Sequence, residues 1–218
     1  MRDVRPYLFA MLLVLVLASG ISLTLQAQPP GYTVVKNLSA FQERFQKESA
    51  KVETIESSFK QNKILLALTE EISATGRFWF KRTDRVKIEY KKPFTYTMVL
   101  NGDKMLVRDG QKEGQINVRS NKLFQQVNRI MIDCVQGTIL QSKDFDSRVF
   151  ENEKMFLLEL TPKAKALREF FQTIILTVDK KDYSANAIEM NEPSGDKTTI
   201  SFLNKKINGA IDDAVFAL

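Results

Sequence analysis

The chain has 218 residues, 44% of them hydrophobic, a formal net charge of +6, one cysteine and no histidine. That length and composition fit a single domain with a sizeable core. The missing histidines exclude every histidine-based triad, dyad and metal site, and a lone cysteine excludes an intrachain disulfide.

The N-terminus reads as an export signal over residues 1–27. Arg2 and Arg5 form a basic start, Tyr7 to Leu25 is almost wholly apolar or small, and Leu25-Gln-Ala27 ends in a small residue suited to cleavage. An uncleaved anchor is the competing reading, because nineteen such residues nearly span a bilayer. Either reading places the body of the chain outside the cytoplasm, so the basic balance points to anionic lipid or an acidic protein surface rather than nucleic acid. Residues 28–36 form a linker bearing proline and glycine, and 37–218 form one domain.

Leu38, Phe41, Phe45 and Val52 recur at helical spacing and predict a helix over 38–51, with Ser39-x-x-Gln42 as its capping box. The period then changes to two. Strands are predicted near 54–66, 70–82, 85–91, 94–101, 104–109 and 114–119, with Asn101-Gly102 a strong hairpin turn. A helical stripe of Leu123, Phe124, Val127, Ile130, Met131 and Cys134 interrupts them, and Cys134 reads as a buried thiol. Strands resume near 147–151, 154–161, 172–179, 185–191 and 197–204. About eleven antiparallel strands with two or three helices make a mainly antiparallel α+β fold, a curved meander or incomplete barrel with helices over one face.

Within the strands Phe78, Phe80, Val86, Ile88, Tyr90, Met98, Leu100, Phe156, Leu158, Leu160, Ile174, Leu176 and Val178 share an inward parity. They form either an ordinary packed core or the wall of an apolar cavity, and periodicity does not separate the two. The opposite face of the 76–93 hairpin carries Arg77, Trp79, Lys81, Arg85, Lys87 and Lys91 and reads as a solvated or docking surface. Arg82 is anomalous, a charge at the end of the apolar row Phe78, Phe80. No nucleophile elbow, phosphate loop or metal spacing is present, and the pairs Glu70-Glu71 and Asp212-Asp213 put adjacent side chains on opposite faces of a strand. No cofactor is expected. An enzyme is disfavoured, with a hydrolase built from distant carboxylates as the remaining catalytic reading.

Five blocks occur in order: Ser57-Ser-Phe59-Lys-Gln61; Gly76-Arg-Phe-Trp-Phe-Lys-Arg82 followed by ten residues and Pro93; Asn101-Gly-Asp-Lys-Met-Leu106; Leu160-Thr-Pro-Lys163; and Asn208-Gly-Ala-Ile-Asp-Asp-Ala-Val-Phe216. Together they resemble the LolA family of periplasmic carriers of outer-membrane lipoproteins. Thr83 and Val107 stand where that family usually has proline and an aromatic residue. The resemblance implies a periplasmic monomer that shelters acyl chains in an apolar cavity. Its wall would include Phe59 and the inward row from Phe78 to Leu176, and the stripe Leu123, Phe124, Val127, Ile130 and Met131 would form a lid. Arg82 would bridge wall to lid backbone as a latch. The implied partners are acylated lipoproteins, an inner-membrane ABC-type release complex, and an outer-membrane acceptor or the outer membrane itself. A carrier of another lipid or glycolipid, or a lipid-sensing regulatory module, are the alternatives on the same fold.

Overall fold

The computed structural model describes residues 28–110, 112–117, 129–130 and 132–218. Residues 1–27, where the export signal is predicted, and the stripe residues Leu123, Phe124, Val127 and Met131 lie outside the described residues.

Among the described residues, twelve strands form one antiparallel sheet. They are β1 (Thr33–Val34), β2 (Thr54–Leu65), β3 (Glu70–Lys81), β4 (Arg85–Lys92), β5 (Tyr96–Asn101), β6 (Lys104–Asp109), β7 (Lys112–Asn117), β8 (Phe145–Glu151), β9 (Met155–Pro162), β10 (Thr173–Asp179), β11 (Ala185–Asn191) and β12 (Lys197–Ile207). The order across the sheet is β1-β8-β9-β10-β11-β12-β2-β3-β4-β5-β6-β7. Two up-and-down meanders, β2–β7 and β8–β12, are thus stitched together where β12 pairs with β2. The edges are β1 and β7, so the sheet curves without closing, and the two-residue β1 leaves little edge to template foreign strands.

Helix α1 (Leu38–Ser49) covers β8–β10. Asn37 caps it, its side-chain Oδ1 accepting from the Ala40 N–H at 3.0 Å. The expected capping box therefore gives way to a cap two residues earlier: Asn37 holds the extended backbone a cap needs, and Ser39 lies inside the helix. Phe41 and Phe45, four residues apart, stack at 5.6 Å, and Phe41 meets Phe156 of β9 at 4.6 Å. Burying each ring contributes about 1.5–3 kcal/mol. A short helix α2 (Lys165–Arg168) adds Leu167 to the same cluster. Residues 132–136 are helical, and Gly137, at φ +73°, ends that turn against α1. A Cβ on Gly137 would lie 2.7 Å from the Ser49 hydroxyl, so the close approach of the two helices requires glycine.

The core divides into three clusters, one of them on the outer face of the 76–93 hairpin. The first joins Phe41, Phe45 and Cys134 to Phe156, Leu158, Leu160, Ile174 and Leu176. The second joins Val52 and Ile55 to Phe80, Val86, Leu100 and Met105.

At Trp79 the outer face of the 76–93 hairpin departs from the solvated or docking surface expected of it. Trp79 is only 7% exposed and packs with Val99, Leu106 and Phe216. The C-terminal segment straps across it: Lys81 Nζ donates to the Ile211 carbonyl at 3.0 Å, and Arg85 reaches the Asp213 carboxylate at 2.8 Å. The Lys81 hydrogen bond, assisted by Arg85, holds the Asp213 carboxyl below its usual range. Arg77 and Lys87 lie over the Trp79 ring. An indole on a nominally polar row needs a cover, and the apolar residues of the 208–216 block supply it.

Candidate apolar cavity

The register of β2, β3 and β4 sets one wall. Phe59 faces Gly76, Phe78 faces Ile88, and Gly76 faces Tyr90. Gly76 has no side chain at the point where the Phe59 and Tyr90 rings meet edge to face, 5.0 Å apart. The neighbouring β12 sets Phe202 opposite Phe59, and its ring lies 5.3 Å from Phe78. Ile200 of β12 lies beside Ile188 of β11. Val52 and Ile55 close one end, and Cys134 and Val135 of the 132–136 turn roof the space.

The result is a partly open slot over the seam between the two meanders. Its volume is about 100 Å³ measured as room for water-sized groups, inside about 870 Å³ of empty space that takes in the open mouth. A water-sized group needs about 10–15 Å³ of such room. The slot therefore admits a short run of methylenes as it stands and must widen to take a whole acyl chain.

Of the residues expected to line a cavity, Phe59, Phe78, Ile88 and Tyr90 border this space. Phe80, Val86 and Leu100 are fully packed in the second cluster, with Met98 against them. Phe156, Leu158, Leu160, Ile174 and Leu176 are buried in the first cluster with α1 and do not border the slot. Ile130, the one described member of the predicted lid stripe besides Cys134, packs against that first cluster. The slot also uses Ile188, Ile200 and Phe202, which sequence reasoning does not single out. Alternation along β11 and β12 carries the signal, but only the adjacency of β12 to β2 places these residues opposite Phe59.

Arg82 lies just past the end of β3. Its Nε donates to the Val52 carbonyl at 3.0 Å and one terminal nitrogen donates to the Ser49 carbonyl at 2.9 Å. These carbonyls belong to the last turn of α1 and the chain leaving it, where unpaired acceptors face a cation favourably. The same 82–84 turn accepts a hydrogen bond at Thr83 O from Gln136 at 3.1 Å. One turn of the wall thus holds the ends of both covering helices.

Tyr90 donates to Gln61 Oε1 at 2.7 Å, and burial, with Tyr96 nearby, raises its phenol pKa. Burial, reinforced by Asp133, pushes the Cys134 thiol up to about 12. The thiol thus stays protonated in the folded chain, and its contribution to stability is lost only as pH rises from the ordinary thiol range near 9 towards that value. Iodoacetamide at pH 8 is expected to label Cys134 at least about a hundredfold more slowly in the native protein than in the denatured chain. Comparable rates would show that the slot does not enclose it.

A family model described as the outer membrane lipoprotein carrier protein LolA matches residues 50–218. An outer-membrane lipoprotein carrier protein of Chromohalobacter salexigens is 25% identical over 144 residues, 66% of this chain; the match spans 65% of that relative's length. Among solved structures, a chain of the Pseudomonas aeruginosa MucA/MucB complex has a TM-score of 0.50 at 10% identity, over 83% of this chain and 60% of that one. An uncharacterized conserved protein of Thermus thermophilus has a TM-score of 0.50 at 10% identity, over 83% of this chain and 93% of that one. At such identities these two structures share the fold.

Proposed function

The chain belongs to the LolA family of outer membrane lipoprotein carriers, and from that premise we propose that it shuttles lipoproteins through the periplasm with their acyl chains in the slot over the β12/β2 seam. An N-terminal signal over 1–27 would export it, and residues 37–218 would act as the carrier domain and work as a monomer. An inner-membrane ABC-type complex would load it, and an outer-membrane acceptor or the membrane itself would receive the cargo. The observation that supports this reading best is the pairing of an apolar slot with a wall-to-helix tie at Arg82.

The energetics fit such a role. Each buried methylene is worth about 0.8 kcal/mol, so one sixteen-carbon chain represents roughly 12 kcal/mol against water. A soluble carrier has to offset most of that and still release its cargo. A slot that must widen does both: the free energy of opening subtracts from the gain of burying the chain. Separating Arg82 from Ser49 O and Val52 O supplies part of that opening term.

The purified protein, mixed with membranes bearing a labelled lipoprotein and its release transporter, is expected to bring the label into the soluble fraction. Label that remains in the membrane, while an authentic carrier releases it, overturns the carrier reading.

A further inference from the structure

Lys205 is the one charged side chain among the described residues that line the slot. It reaches that position through a β-bulge. Ile200 and Phe202 of β12 face inward and Leu203 faces out, 47% exposed. Regular alternation would turn Lys205 outward with Leu203. The register instead shifts between Leu203 and Lys206, with Asn204 at φ +54°, and the extra residue re-aims Lys205 into the apolar space.

Its ammonium donates to the Ser184 hydroxyl at 2.7 Å and to the Ala185 carbonyl at 3.3 Å. Ser184 is 3% exposed and its own hydroxyl donates to Asp182 at 2.6 Å, which orients its oxygen lone pairs towards Lys205. An ammonium has three donors, so one is left over. Among the described residues no carboxylate lies within ion-pair distance of Lys205, and no acidic side chain lines the slot. Three other half-buried lysines have direct ion pairs: Lys63 with Glu192, Lys197 with Glu189 and Lys180 with Glu151. The Asp182 carboxylate reaches Lys205 only through the Ser184 hydroxyl, and a partly buried cation at an apolar wall without a direct ion pair favours an incoming anion.

We propose that the slot binds an acyl amphiphile with an anionic end, a carboxylate or a phosphate, with the chain against Phe59, Phe78, Ile188 and Phe202 and the anion on Lys205. This rests on the reading that the slot takes acyl chains; the ester- and amide-linked chains of a lipoprotein carry no anion, so the anionic amphiphile is a ligand of the same slot besides that cargo. The bulge sets the distance between charge and apolar wall, so a free anion lacks the chain contacts and a neutral amphiphile lacks the charge.

The test compares oleate, an oleoyl lysophosphatidylglycerol, oleyl alcohol, acetate and inorganic phosphate by calorimetric titration of the purified protein, the two anionic amphiphiles below their micelle concentrations and the alcohol below its solubility limit. The two anionic amphiphiles are expected to bind at least about tenfold more tightly than the alcohol, which is about 1.4 kcal/mol, and acetate and phosphate are expected not to bind. If only one amphiphile shows the gain, that one names the anion. Lys205→Met is expected to bring the anionic pair down to the alcohol, and Lys205→Arg to keep most of the difference. Oleyl alcohol binding as tightly as oleate overturns the headgroup assignment and leaves the apolar slot standing. Binding of none of the three amphiphiles overturns both. Binding of acetate or phosphate as tightly as the amphiphiles makes the site one for free anions and overturns the proposal. Should Lys205→Met fail to give a cooperative melt, the oleate-to-alcohol ratio in the unsubstituted protein and in Lys205→Gln decides between the same outcomes.

Discussion

Replacing Arg82 by leucine is expected to leave the sheet folded, to tighten acyl-chain retention by about tenfold or more, and to slow hand-off to an acceptor membrane correspondingly. The guanidinium makes two charge-assisted hydrogen bonds to Ser49 O and Val52 O. Bonds of that kind contribute about 1.5–3 kcal/mol each when well shielded. The side chain is 22% exposed, so the lower end applies. Both bonds tie the α1 end to the wall, so on the carrier reading proposed above they favour the slot as it stands over a widened one. Removing about 1.4 kcal/mol of that bias shifts the open population tenfold. The same loss lowers the melting temperature of the empty protein by about 2–4 °C for each kcal/mol in a domain of this size. The Arg82→Lys variant keeps the charge without the planar fork and is expected to fall between the two. Equilibrium binding of a fluorescent acyl probe, paired with the rate of its transfer to vesicles, measures both effects; an Arg82→Leu protein with unaltered affinity and rate refutes the latch.

Gly76→Ala is expected to destabilise the domain by about 2–4 kcal/mol and to spoil probe binding with it. A Cβ at Gly76 would fall 2.2 Å from the Glu89 carbonyl oxygen of β4 and 2.5 Å from the Phe59 ring. The ring borders the slot and could swing into it, where it would take up apolar space. The carbonyl belongs to the backbone of a paired strand and sits at a register irregularity between Thr75 and Gly76, so it yields only if the β3–β4 ladder shifts. The double variant Gly76→Ala/Phe59→Ala separates the two contacts. Its denaturation midpoint is expected to stay below that of Phe59→Ala alone, since the backbone clash persists. Full recovery to the Phe59→Ala value would show that the ring alone demands glycine.

Most strands are legible in the sequence because their side chains alternate over one buried face: β2, β6 and β11 begin and end within about a residue of the expected spans. Helix α1 is legible from Phe41 and Phe45. The bulge at Asn204 is not, because the register change is enforced by the partner strand β2 rather than announced by a glycine. For the same reason alternation predicts an end to β12 at 204, whereas the strand runs to Ile207. The two-residue β1 and the single-turn α2 are too short to show a period. Within the site, Phe78, Ile88 and Tyr90 follow from parity alone. Parity does not distinguish them from Leu158 or Leu176, which share it and lie buried beneath α1, since what covers each strand depends on the order of strands across the sheet. Trp79 carries a usable signal: an indole among cations implies a cover, and the Asn208–Phe216 block is the apolar segment left to provide one.

The seam between β12 and β2 also dictates when the protein can become competent. β2 is among the first strands to leave the ribosome and β12 is the last. Until β12 arrives, the β2–β7 meander has an open edge at β2 and the slot lacks Ile200, Phe202 and Lys205 together. Pairings so distant along the chain form late and slowly. A nascent or truncated chain that lacks β12 therefore has no finished slot, so acyl-chain binding there is expected only once β12 has paired with β2.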